Sequence, residues 1–244
     1  MARYRKTARL VRSLGLESAA HRLAGSLCEV DTVRPVFHLT FDDGPHPEVT
    51  PRLLGLLDEH KAPATFFLLT DAAQRHPDLV HEIIDRGHEI GHHSRTHLRL
   101  STAPLQRLSD EIRAAKRDLE EVAGKKVTLF RPPYGAHGLR SLYMSRLSGM
   151  ETVLWSVDSE DWKGLTPEAP LAHAAGKLRA GGILLLHDTP VGESVTKDTE
   201  QGLVDKVDLT AMYLDELADK ALTPVSLKEL KSGGDPVLRA KVAK

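Results

Sequence analysis

The chain has 244 residues, enough for one large domain or two small ones that bury a self-sufficient core. Hydrophobic residues make up 41% and charged residues 27%, which excludes collagen-like, coiled-coil and disordered chains. With 33 Lys+Arg against 34 Asp+Glu the net charge is -1, so no positive field marks nucleic acid as a partner. A single cysteine, Cys28, rules out an internal disulfide, a zinc ribbon and an iron–sulfur site; any metal must be held by nitrogen and oxygen. Histidine is unusually frequent: the 13 histidines outnumber all of the Phe, Trp and Tyr residues (5, 2 and 4).

In chain order, residues 1–32 mix Arg3, Arg5, Lys6, Arg9 and Arg12 with Leu10, Val11, Leu14 and Leu16, and are expected to form a basic helical extension on the outside of the domain. They lack the continuous apolar core of a signal peptide. No apolar run approaches the roughly 20 residues of a membrane span, so no transmembrane segment is expected, and the expected location is the cytoplasm. A domain over 33–231 follows, then a flexible tail over 232–244 containing Gly233, Gly234, Asp235 and Pro236. Apolar and β-branched runs predict strands at 36–41, 64–69, 88–91, 127–131, 151–157, 182–187 and 224–227. Helical periodicity lies between them at 51–60, 77–86, 105–122, 139–148, 167–179 and 203–221.

This alternation is the pattern of parallel βαβ units, which close into a barrel or open into a doubly wound sheet. Polar residues favour the barrel. Asp42 and Asp43, His93 and His97, Arg131, Asp158 and Asp161, and His187 all follow the ends of separate strands. Those ends meet on one face only in a closed fold. The expected fold is therefore α/β, a distorted (β/α)7-8 barrel with one active-site face at the C-terminal ends of its strands.

Five clusters carry chemistry. Thr40-Phe41-Asp42-Asp43-Gly44-Pro45 runs a strand into two carboxylates, whose side chains point in opposite directions on extended backbone and can divide metal binding from proton transfer. Gly91-His92-His93-Ser94-Arg95-Thr96-His97 puts His93 and His97 four apart, one face of a helical turn, with His92 out of phase. Two imidazoles and a carboxylate leave a position open for water, as catalytic zinc sites require. Phe130-Arg131-Pro132-Pro133-Tyr134-Gly135 is a stiff loop whose Tyr-Gly backbone can turn an N–H into a cavity. Asp158-Ser159-Glu160-Asp161-Trp162 sets carboxylates beside an aromatic plane suited to a sugar ring. Ile183-Leu184-Leu185-Leu186-His187 is a buried strand ending in a histidine that needs a partner. Taken singly, each also reads as an ordinary turn, loop or strand end.

In this order and at strand ends, the five clusters resemble the polysaccharide deacetylases of the chitooligosaccharide-deacetylase homology type, carbohydrate esterase family 4. The resemblance covers about residues 36 to 230. It implies a divalent ion, zinc with cobalt or nickel as alternatives, on Asp43, His93 and His97. It further implies Asp42 as general base, Arg131 holding Asp42 ionised and oriented, His187 as general acid, and Asp161 raising the pKa of His187. Tyr134 would supply an oxyanion N–H, Leu185 the pocket for an acetyl methyl and Trp162 one side of a sugar groove. His92 stands where the family often has Asn and is expected to pack beside the ligands without being one. The implied function is metal-dependent removal of N-acetyl groups from an N-acetylglucosamine-containing glycan such as chitin or peptidoglycan. The rivals are a deformylase or other non-peptide amide hydrolase on the same fold, and a non-catalytic glycan-binding protein. No feature of the sequence indicates an oligomeric state.

Overall fold

In the computed structural model, which describes residues 25–136, 138–163, 166–189 and 204–239, eight short parallel strands curl round an inner core. After β1 (Ser26–Asp31) they are β2 (Val36–Asp42), β3 (Ala64–Leu68), β4 (Glu89–His92), β5 (Leu129–Phe130), β6 (Glu151–Thr152), β7 (Val157–Asp158), β8 (Ile183–His187) and β9 (Thr223–Pro224). The last strand, β10 (Asp235–Arg239), pairs antiparallel with β1. The helices are α1 (Val49–Glu59), α2 (Thr70–Arg75), α3 (Pro77–Asp85), α4 (Leu105–Leu108), α5 (Ala115–Ala123), α6 (Leu139–Leu147), α7 (Glu168–Ala175), α8 (Lys206–Asp219) and α9 (Leu227–Ser232). A π-helical turn, Ser109–Ala114, joins α4 to α5.

The sheet order is β6-β5-β4-β3-β2-β8-β7, with β9 beside the start of β2. Because β6 and β7 are the two ends of one stretch, residues 151–158, the same piece of chain edges both sides of the sheet and closes it. The seam between them is irregular and is bridged by β1, whose Leu27 carbonyl accepts from Leu154 N at 2.7 Å. Ser156 N reaches Ile183 O at 3.1 Å. Closure removes the exposed sheet edge that a half-finished barrel would present.

Strand alternation separates two cores. On β2, Phe37, Leu39 and Phe41 face outward and pack with Leu53, Leu54 and Leu57 of α1. Each such buried side chain contributes about 1.5–3 kcal/mol. The other face of β2 carries His38, Thr40 and Asp42 into the barrel. There Phe67, Leu129, Val153 and Ile183 form the inner cluster with Leu27, Val225 and Leu230. The inward face is thus apolar below and polar above, which places chemistry at the C-terminal ends of the strands.

Three expectations change. The helical extension expected through residue 32 is a strand over its last residues, and the expected flexible tail contains β10. Leu27, Val30 and Leu238 cover the bottom of the inner core, and this shared burial brings the distant segments together. The strand expected at 224–227 is Thr223–Pro224, because Ser226 caps α9 by accepting from Glu229 N at 3.2 Å. Helix α2 was not expected; at six residues it is too short to show a period. Residues 1–24, part of the expected basic helix, lie outside the described residues.

Candidate active site

At the end of β2 the backbone turns left-handed at Asp43 (φ 80), so Asp42 and Asp43 do not alternate as extended chain would make them. Both carboxylates enter one pocket: His93 Nε2 lies 3.7 Å from Asp42 Oδ2 and 3.4 Å from Asp43 Oδ1. His97 Nε2 is also 3.4 Å from Asp43 Oδ1. The turn needs Gly44, since a Cβ there would stand 2.0 Å from Asp188 Oδ2. Burial pushes the Asp188 carboxyl up to about 7, and it accepts a hydrogen bond from Thr50 Oγ1 at 2.7 Å.

Asp43, His93 and His97 each present one ligand atom within 4.8 Å of the others. His93 Nδ1 donates to the Arg131 carbonyl at 2.8 Å, which leaves the Nε2 lone pair facing the group. Asp43 Oδ1 is buried with no hydrogen bond, an orphaned acceptor that a cation would satisfy. Burial opposes ionisation of Asp43, but His93, His187 and His97 outweigh it and hold the carboxyl well below its usual range. His97 is pushed down to about 4, mainly by burial, and is a neutral donor at pH 7. Burial would also lower His93, yet Asp42 and Asp43 raise it. Two imidazoles and one carboxylate on one gap fit a divalent ion with room for further ligands.

The helical turn expected for His93 and His97 is absent. Residues 93–97 are irregular chain, with Ser94 and His97 both left-handed (φ 73 and 63), and the imidazoles meet with ring centroids 5.2 Å apart. Within the loop, His97 N donates to Ser94 Oγ at 3.1 Å. His92 is fully buried on the other side of the strand, packed 5.6 Å from the Phe130 ring, and is not in the ligand group.

On one flank of this group, Arg131 lies wholly buried. Its Nη1 donates to Asp42 Oδ1 at 2.8 Å and to Thr40 Oγ1 at 2.7 Å, while Nε and Nη2 donate to the carbonyls of Val153 (3.1 Å) and Leu154 (2.9 Å). Phe67 stacks 4.1 Å beneath its guanidinium. Asp42 is thereby fixed through Oδ1, with Oδ2 turned towards His93.

On the other flank, His187 stands in register with Asp42 on the neighbouring strand. Its Nδ1 is 2.7 Å from Asp161 Oδ1, and its backbone N donates to Asp161 Oδ2 at 3.1 Å. Burial works against the imidazolium, but the charge and hydrogen bond of Asp161 prevail and raise His187 to about 9. Lys206 Nζ donates to Asp161 Oδ2 and to its carbonyl, both at 2.9 Å.

Leu185 shares the inward face of β8 with His187 and is buried. Tyr134, left-handed at φ 61 and half-exposed, sets its ring edge-on to His97 at 4.5 Å, and Arg99 lies 4.4 Å over the same ring. Trp162 is half-exposed next to Asp161, with Lys163 Nζ 4.7 Å over its ring. Sequence reasoning missed Thr40, Asp188, Lys206 and Glu111. Thr40 lies inside a quoted motif but has no role assigned to it there, and Asp188 directly follows one, whereas Lys206 and Glu111 sit in helical segments with no local signature.

Comparison with known proteins places the motifs and the fold in a family. The polysaccharide deacetylase family profile matches residues 29–153. A peptidoglycan-N-acetylglucosamine deacetylase of Bacillus cereus is 38% identical over 162 residues, 66% of this chain and 76% of that protein. A chitooligosaccharide deacetylase of Rhizobium leguminosarum bv. phaseoli is 32% identical over 220 residues, 86% of this chain and 96% of its own. In fold, the chain resembles a carbohydrate esterase family 4 pseudoenzyme from Bacillus anthracis, with a TM-score of 0.75 at 24% identity over 88% of this chain and 72% of the other. With its motifs, curled barrel and sequence relatives in agreement, the chain belongs to the polysaccharide deacetylase family, carbohydrate esterase family 4.

Proposed function

We propose that the protein is a metal-dependent N-deacetylase that hydrolyses the acetamide of an N-acetylglucosamine unit in an oligo- or polysaccharide. The observation that carries this reading is the convergence of Asp43, His93 and His97 on one gap, between Asp42 on its Arg131 support and His187 on its Asp161 support. Since the fold also occurs in a pseudoenzyme, the weight rests on these side chains and not on the barrel.

A divalent ion on Asp43, His93 and His97, zinc first and cobalt or nickel as alternatives, would polarise the acetamide carbonyl and make water a stronger acid. Asp42 Oδ2 accepts the proton of the attacking water, while Arg131 fixes the carboxylate through Oδ1. The water oxygen bonds to the acetyl carbon and the carbon–nitrogen bond breaks. His187, protonated at neutral pH, gives a proton from Nε2 to the departing nitrogen, so acetate and a free amine leave. The Tyr134 backbone N–H is assigned to the developing oxyanion and buried Leu185 to the acetyl methyl. The Trp162 face is assigned to the sugar. A non-catalytic glycan binder would have no use for both the supported base and the supported acid, and both are present.

The test is to incubate the zinc-loaded protein with chitooligosaccharides, peptidoglycan fragments and formylated amides and to follow each by mass. Loss of acetyl groups from a glycan is expected, abolished by a chelator and restored by zinc. Release of formate, with no acetate from any acetylated sugar, would overturn the assignment in favour of a deformylase.

A further inference from the structure

The two histidines of the ligand group stand at the ends of a loop that has no regular structure of its own. Such a loop holds left-handed Ser94 and His97 only if its neighbours take up its polar groups. The carbonyls of Ser94 and Arg95 accept from Thr70 N and Asp71 N at the start of α2, at 3.1 and 3.3 Å. His93 N donates to Leu68 O at 2.9 Å. The N–H groups of Arg95 and Thr96 remain, and both donate to one oxygen, Glu111 Oε2, at 3.0 Å each. Thr96 Oγ1 donates to the other, Oε1, at 2.8 Å, and Arg107 Nη2 lies 3.5 Å from Oε1. Glu111 is completely buried.

Its aim comes from the π-helical turn. Helices α4 and α5 would otherwise run as one α-helix; the wider turn takes in an extra residue and rotates one half of the helix against the other. The turn brings Glu111 against the loop, while its neighbour Ile112 packs with Leu108 and Phe130. Single π-turns within helices occur mostly at functional sites, where the poorer helix geometry is kept for the direction it imparts.

We propose that Glu111 is a positioning residue of the ion site: its carboxylate clamps Arg95 and Thr96 and so sets His97 Nε2 against Asp43 and His93. The inference rests on the metal-dependent reading above. Glu111 touches neither the ligand gap nor the substrate face and acts only through the loop.

The experiment measures zinc affinity by competition with a chromophoric chelator for wild type, Glu111→Gln, Glu111→Ala, His97→Ala and the two Glu111 variants combined with His97→Ala. Melting of the metal-free proteins is recorded alongside. Wild type binds about one ion per chain, and Glu111→Ala binds zinc about 10- to 100-fold more weakly. Glu111→Gln keeps an acceptor for the two N–H groups and falls between them, with metal-free melting close to wild type. In the His97→Ala background the Glu111 substitutions have no further effect, because the residue they position is gone. Variants that bind zinc as tightly as a zinc-binding wild type overturn the inference alone, as does an equal loss in both backgrounds. If Glu111→Ala does not fold, the Gln variant carries the same cycle. A wild type that binds no zinc overturns the metal-dependent reading and the inference with it.

Discussion

The two flanks of the site use the same materials in opposite ways. On one flank a buried cation, Arg131, holds a carboxylate, Asp42; on the other a buried anion, Asp161, holds an imidazole, His187. Each support is itself anchored, Arg131 by two backbone carbonyls of the seam and Asp161 by Lys206. A buried charge costs several kcal/mol unless it is paired and hydrogen-bonded, so neither support could stand without its second set of partners. The contrast shows how adjacent strands place a carboxylate and an imidazole in register, each paired with a buried charge of the opposite sign.

Substitutions that break one flank and leave the other test this contrast. The largest effect is expected for Asp42→Asn, which keeps the hydrogen bond from Arg131 but cannot accept a proton: kcat should fall about 10³-fold or more with bound metal unchanged, as read by steady-state assay beside metal analysis. His187→Ala should lower kcat by about 10²- to 10³-fold with little change in KM, leaving the base flank intact. Asp161→Asn is milder and diagnostic. His187 is raised to about 9, so the rate should decline as pH climbs through about 9 in the wild type, and removing the Asp161 charge should move that decline to lower pH. The same shift has a stability sign. The His187–Asp161 pair stabilises fully below the ordinary value of 6.5 and loses its contribution as pH rises through about 9, so the gap between wild type and Asp161→Asn should narrow in alkaline melts to what the Lys206–Asp161 pair contributes. Lys206→Met should move the alkaline decline the opposite way, upward, because Asp161 then faces His187 with its charge uncompensated. Smallest is Trp162→Ala, a loss of about 0.5–1.5 kcal/mol of stacking that should raise KM and spare kcat.

Much of this was legible in the sequence because the barrel places its chemistry where strands end, and strand ends are short, contiguous stretches. Asp42, Asp43, Arg131 and His187 each close an apolar run, so the pattern that predicts the strand also locates the site. What the pattern cannot carry is partnership across distance. Strands β1 and β10 meet from opposite ends of the chain, and nothing within either segment shows that the other will cover the same apolar floor. Lys206 opens α8 as an unremarkable surface-type residue, and only the fold reveals that it is buried against Asp161. The pairing of His93 with His97 was anticipated, but for the wrong reason: a helix period suggested it, whereas an irregular loop clamped from outside produces it.

The guanidinium of Arg131 draws out one more consequence. It ties together Thr40, Asp42, Val153 and Leu154, and the last two lie in the seam that β1 bridges. Contacts of such long sequence separation form late, after the loop-closure entropy between them has been overcome. A partly folded chain therefore leaves the Asp42 carboxylate unoriented, even with its strands β2 and β3 already paired. Turnover in a refolding experiment should lag behind strand formation and report barrel closure itself, so that the enzyme's own activity serves as a clock for its last topological step.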